Sequence, residues 1–168
     1  KPLGVVAAIT PWNFPLLLMA KKIAPALITG NTVVAKPAPT TPLTSLRLAE
    51  MAAGIFPAGV LNMIVDANDL GAALTGHADV RKVSFTGSTG TGRRIMAAGA
   101  DSLKRITLEL GGNDAAILLD DVNVKDVAPK IFNGAMINAG QVCVAIKRVY
   151  APTKLYDELC DELGRLAN

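Results

Sequence analysis

The sequence predicts an α/β fold, a doubly wound parallel sheet of Rossmann-like type followed by the start of a second α/β unit. Three observations carry this. Short continuous apolar runs, the mark of strands buried on both faces, alternate with stretches of helical periodicity. The first strand starts fall near residues 4, 32 and 60, one βα unit every 28 residues or so. Beyond Arg105 that period breaks, which sets a domain boundary near Leu110.

In order, Gly4 to Ile9 reads as a buried strand ended by Thr10-Pro11, and Leu16 to Ile28 as a helix stopped by Gly30-Asn31. Thr32 to Ala35 is the second strand, ended by Lys36-Pro37. Pro42 to Ile55 is helical, with Thr41 as N-cap and Pro42 at the first position, and Val60 to Val65 is the third strand. A short helix over 70–76 precedes a fourth strand, Lys82 to Phe85, which runs into Thr86-Gly87-Ser88-Thr89-Gly90-Thr91-Gly92 and a helix over 93–98. Ile106 to Leu110 and Ala115 to Leu119 are strands separated by only four residues, too few for a helical crossover. A helix over 124–139, a strand over 149–151 and a helix over 154–166 complete the chain. The expected domains are 1–110 and 111–168, the first lacking an N-terminal part and the second truncated.

Composition narrows the function classes. Of 168 residues, 51% are hydrophobic and 4% aromatic, enough for a substantial core and too apolar for a disordered tail. The apolar stretch from Leu110 to Leu119 is broken by Gly111-Gly112-Asn113-Asp114, so no membrane span is expected. The net charge of +3 comes from scattered basic pairs rather than a stripe, and with few aromatics for stacking no nucleic-acid partner is expected. Two cysteines make no disulfide framework, which points to a reducing, cytoplasmic compartment. The chain begins at Lys1 with no initiator Met and no signal or transit pattern, and reads as an excerpt.

Several residues are candidates for chemistry. Cys143, in Gly140-Gln141-Val142-Cys143, sits in a loop among small residues; a free Cys is more often a small buried hydrophobe, and a nucleophilic thiol needs a base or a positive field. The one histidine, His77, reads more simply as a polar helix end than as its partner. Glu109 faces away from Leu108 and Leu110; buried, such a carboxylate would hold its proton to higher pH and suit a general base, and exposed it is an ordinary strand residue. Asn13 follows a parallel strand, where open α/β sheets gather ligands, and can cap a helix or donate to an oxyanion. Gly87 and Ser88 lie in a strand-to-helix loop able to receive a phosphate, although helix capping explains it equally well. Lys36 ends a strand within reach of a ribose or phosphate, or is a surface lysine. No metal ligand set is expected.

Five segments, Pro11-Trp12-Asn13-Phe14-Pro15, the run from Gly30 to Ala38, Phe85-Thr86-Gly87-Ser88, Leu108-Glu109-Leu110-Gly111-Gly112 and Gly140-Gln141-Val142-Cys143, resemble in order and spacing the NAD(P)-dependent aldehyde dehydrogenase superfamily. The likeness covers roughly the middle third of a family chain. It implies oxidation of a small-molecule aldehyde to a carboxylic acid with NAD or NADP, in a parent that is a homodimer or homotetramer. By position, Cys143 matches the nucleophile, Glu109 the base that activates water, Asn13 an oxyanion donor shared with the Cys143 N–H, and Lys22 a lysine of the proton relay. Thr10, Trp12, Lys36, Pro39, Gly87 and Ser88 match positions around the cofactor. Pro39 stands where many NAD-preferring members carry Glu, so NADP stays open, and Asn113 replaces a common Lys. Glu109 speaks against the CoA-acylating branch. Two other readings remain: a catalytically incomplete fragment acting as a structural or nucleotide-binding module, and a related esterase or reductase.

Overall fold

The structure, a computed structural model, describes all residues from Lys1 to Asn168. They form two compact units, Lys1–Leu110 and Gly111–Asn168.

The first unit holds strands β1 (Val5–Ile9), β2 (Thr32–Lys36), β3 (Leu61–Met63), β4 (Val80–Thr86) and β5 (Arg105–Glu109). Helices α1 (Pro15–Ile28), α2 (Leu43–Ala52), α3 (Gly71–Gly76) and α4 (Thr89–Ala100) connect them. All four strand pairings are parallel, in the order β3-β2-β1-β4-β5. Alternate residues of β1 feed opposite layers, as the strand period of two requires. Val6 and Ala8 pack with Met19, Ile23 and Ala26 of α1 and with Val33 and Ala35; Ala7 and Ile9 pack with Val83, Phe85 and Ile95 of α4. The sheet is therefore covered on both faces, which is why its strands read as unbroken apolar runs.

The stop after α1 has a visible cause. Gly30 takes φ +79, and Asn31 follows with its Nδ2 donating to Ala26 O while its Oδ1 accepts from the N–H groups of Leu3 and Gly4. One buried amide thus closes the helix and fixes the entry to β1.

Some element ends differ from expectation for visible reasons. Thr41 does not cap α2: Pro42 occupies the cap position, α2 ends at Ala52, and Thr41 Oγ1 instead donates to Trp12 O at 3.1 Å. Helix α4 begins at Thr89 rather than 93, because Ser88 Oγ accepts from Thr91 N–H and starts it earlier. The two strands around Gly111–Asp114 belong to different sheets.

The second unit contains β6 (Asp114–Ile117), α5 (Val124–Met136), β7 (Ile146–Tyr150) and α6 (Thr153–Ala167). β6 and β7 pair in parallel, with α5 in the crossover. Leu118, Val124, Ala128, Ile131 and Leu159 form its core. Asn123 caps α5 by accepting from Lys125 N–H. That helix stops three residues before the expected end because Asn138 and Ala139 adopt left-handed backbone, φ 52 and 55, inside a short 3-10 turn.

Candidate functional site

In a parallel sheet of this order the chain leaves β1 toward β2 and leaves β4 toward β5, in opposite directions, so a crevice opens beyond the carboxyl ends of β1 and β4. The first unit has a cleft of about 540 Å³ there, within the usual size for a small-molecule site. The register explains its floor: Ile9 lies beside Lys36 on one side and Phe85 on the other. Thr10, Trp12, Lys36, Pro39 and Gly87 all line it. Ser88 is exposed at the adjoining N-terminus of α4, where it caps the helix.

The cleft suits a dinucleotide on its own chemistry. Thr10 and Thr86 bring hydroxyls that are buried and have no protein partner. Trp12 is 43% exposed along the wall, an apolar face for a flat group. The start of α4 offers N–H groups to an anion. Gly87 packs closely on Phe85: a Cβ there would stand 2.5 Å from the tip of the ring, so a larger residue would force the ring or the loop to shift. Its own N–H donates to Glu109 O at 3.0 Å, tying the loop to the end of β5.

Lys36 is not the isolated cation that the sequence suggests. Its Nζ lies 2.7 Å from Asp66 Oδ1. Burial alone would push the Asp66 carboxyl up, but hydrogen bonds from Lys36 and from the Leu70 N–H, with the Lys36 charge, hold it below its ordinary value.

A second group of candidates lies on the same unit. Lys22 is buried in α1 with Nζ donating to Ser84 Oγ at 3.3 Å. Its pKa falls to about 8: burial lowers it, the Glu109 carboxylate raises it in opposition, and the Lys82 charge lowers it further. Glu109 ends the edge strand β5, with a neighbour on one side only, and is exposed in this unit, the second of the two alternatives the sequence left open for it. Asn13 is half-buried between β1 and α1, next to Phe14 at φ 49. His77 is exposed at the end of α3, its Nδ1 accepting from the Asp79 N–H.

In the second unit Cys143 is a half-buried free thiol in a tight turn closed by Ala145 N–H donating to Val142 O at 3.1 Å. Cys160 is exposed on α6. Gly112 lies against the turn: a Cβ on it would meet Cys143 O at 2.6 Å.

Sequence reading missed Asp66, Thr86, Arg94 and Lys147. Arg94 lines the cleft from α4, and Lys147 holds the Cys143 turn. Thr86 was within reach: it ends β4 as Thr10 follows β1, and the switch-point rule points at both.

A parallel sheet wound on both faces, with a ligand-sized cleft at its switch point, is the architecture of a nucleotide-binding α/β domain. A model of the aldehyde dehydrogenase family matches residues 1–168, and the chain belongs to that family. It is 50% identical over 166 residues to a phenylacetaldehyde dehydrogenase of Pseudomonas fluorescens, covering 97% of this chain and 33% of that protein. It is likewise 50% identical over 163 residues to an aldehyde dehydrogenase of a Fusarium species, covering 97% and 34%. Among solved structures, betaine aldehyde dehydrogenase of Staphylococcus aureus in complex with NAD+ superposes with a TM-score of 0.96 at 41% identity, over 100% of this chain and 34% of that one. An aldehyde dehydrogenase of Mycobacterium tuberculosis complexed with NAD+ gives 0.94 at 44% identity, over 98% and 34%. The chain spans about a third of the length of the curated relatives it matches. No helix is long and apolar enough to cross a membrane.

Proposed function

We propose that the protein carrying this chain oxidises an aldehyde to a carboxylic acid with NAD or NADP. The observation that carries the reading is the gathering of Thr10, Trp12, Lys36, Pro39 and Gly87 on one switch-point cleft, beside two buried, unpartnered hydroxyls. These residues would hold the dinucleotide, with Ser88 and the start of α4 toward its phosphates. When bound, its nicotinamide accepts the hydride lost from the reacting carbon.

Cys143 is the nucleophile: its thiolate adds to the aldehyde carbon, the C=O electron pair moves to oxygen, and Asn13 and the Cys143 N–H stabilise that oxyanion. Loss of hydride re-forms the C=O as a thioester. Glu109 takes a proton from water, which attacks the thioester and expels the thiolate, and Lys22 exchanges protons with Glu109. Aldehyde, oxidised dinucleotide and water thus give carboxylic acid, reduced dinucleotide and a proton. Residues 1–110 are the cofactor-binding part and 111–168 the opening of the catalytic part. A homodimeric or homotetrameric parent in the cytoplasm belongs to the same proposal, the compartment supported by two free cysteines.

The test is pre-steady-state kinetics on the intact protein with several aldehydes. Cys143→Ser is expected to abolish turnover, while Glu109→Gln releases one reduced dinucleotide per site and then stalls. Normal turnover in the serine variant sinks the mechanism. A second reading, a nucleotide-binding module without turnover, is favoured by the confinement of the whole cleft to residues of the first unit. Dinucleotide binding with no oxidation of any aldehyde would establish it.

A further inference from the structure

Lys147 lies on β7, four residues beyond Cys143, and is exposed. An exposed strand lysine ordinarily keeps its ammonium in water, because ordering so flexible a side chain costs rotamer entropy. This one folds back. Its Nζ donates to Gly140 O at 3.0 Å and to Val142 O at 3.3 Å, and it makes no ion pair with any carboxylate.

Both carbonyls lie on the N-terminal side of the nucleophile, Val142 immediately before it. Gly140, at φ +73, follows Asn138 and Ala139 at φ 52 and 55, so three successive residues lie in the left-handed region. Such backbone persists only where its surroundings over-determine it. Val142 O already accepts from Ala145 N–H, so the ammonium adds a second, charge-assisted donor to the same oxygen.

Val142 C=O and Cys143 N–H are opposite ends of one peptide group. A cation on the oxygen draws electron density through the amide conjugation, strengthening the N–H at the other end as a donor and fixing the plane in which it points. We propose that Lys147 is a positioning residue that orients and polarises the Cys143 N–H toward the oxyanion formed when the thiolate adds to a carbonyl. This rests on Cys143 being the nucleophile. No bond to Lys147 forms or breaks, and its proton stays on Nζ throughout.

The experiment compares two reactions of Cys143 in the intact protein. Acylation by p-nitrophenyl acetate passes through a tetrahedral oxyanion; alkylation by iodoacetamide does not. Lys147→Met is expected to slow acylation about tenfold, less than the 10²–10³ typical of losing a donor outright. Alkylation and the KM for the ester should stay within about twofold, and Lys147→Arg, which keeps a cationic donor, should restore acylation to within about threefold. Unchanged acylation in Lys147→Met, or acylation and alkylation falling in parallel, overturns the proposal. Cys143→Ser separates the two levels: if it still turns over ester and aldehyde, the nucleophile assignment itself has failed; if it is dead while Lys147→Met matches wild type, only the role of Lys147 has.

Discussion

Lys36 and Asp66 face each other as a buried ion pair, Nζ to Oδ1 2.7 Å, with side chains 5% and 0% exposed. The lysine ends β2 and the aspartate follows β3, so neighbouring parallel strands deliver both to the same end of the sheet. Lys36 lines the cleft and Asp66 stands behind it. The Lys36 cation at the cleft is therefore compensated from within the protein, and its donors are aimed rather than free.

Asp66→Ala leaves that ammonium without its partner. The expected loss is about 2–3 kcal/mol of unfolding free energy at neutral pH, at or below the usual range for separating a buried pair because this one adjoins an open cleft. The folded carboxyl is held below its ordinary value, so its contribution is present above the ordinary carboxylate range and disappears as pH falls through that lowered folded value. Urea unfolding of both proteins across the acid range checks this: the gap between them should close toward low pH, and a pH-independent gap would assign the loss to packing.

Lys22 also has a lowered folded pKa, but there burial disfavours the charged form, whereas at Asp66 the partner favours it. The folded Lys22 pKa of about 8 lies below the unfolded lysine value of about 10.4, so the unfolded chain binds more protons between the two. Wild type should gain stability relative to Lys22→Met as pH rises through that window, with no relative change below it. Thioester hydrolysis should speed up as pH passes about 8, because neutral Lys22 can then accept the proton that Glu109 takes from water. Stopped-flow measurement of deacylation in both proteins tests this, and an identical alkaline limb in Lys22→Met would remove Lys22 from the relay.

What the sequence disclosed and what it hid follow from the range of each interaction. The strands of the first sheet were legible because burial on both faces leaves no polar residue in runs such as Val5–Ile9, and Gly30-Asn31 because a helix stop is a local event. The cleft residues Lys36 and Gly87 were legible because strand ends in parallel sheets converge, whereas Thr10 came in only through the family resemblance. Asp66 was not, since its meaning depends on a partner 30 positions away, and an isolated aspartate in a loop carries no mark of that pairing. Thr41 misled for the same reason: its hydroxyl suits a local cap, but the Trp12 carbonyl 29 positions earlier takes it. Glu109 shows another limit, because alternation assigns a face without saying whether anything covers it.

The two adjacent glycines after Leu110 should differ sharply in what they tolerate. A Cβ on Gly111 meets nothing within 4 Å, whereas on Gly112 it would stand 2.5 Å from Asp114 Oδ1 and 2.6 Å from Cys143 O. The aspartate side chain can swing aside; the carbonyl is main chain and moves only with its turn. Gly112→Ala should therefore shift the thiol and its N–H together, and displacements approaching 1 Å at a reacting centre cost up to about 10²-fold in rate. Gly111→Ala should leave kcat within about twofold, as expected of a surface change that disturbs no neighbour. Paired steady-state kinetics with thermal melts decide the matter. If Gly112→Ala keeps full kcat, the Cys143 turn has slack that the close approach denies. If it loses kcat only in proportion to a collapse in Tm, the glycine serves folding rather than placement of the thiol.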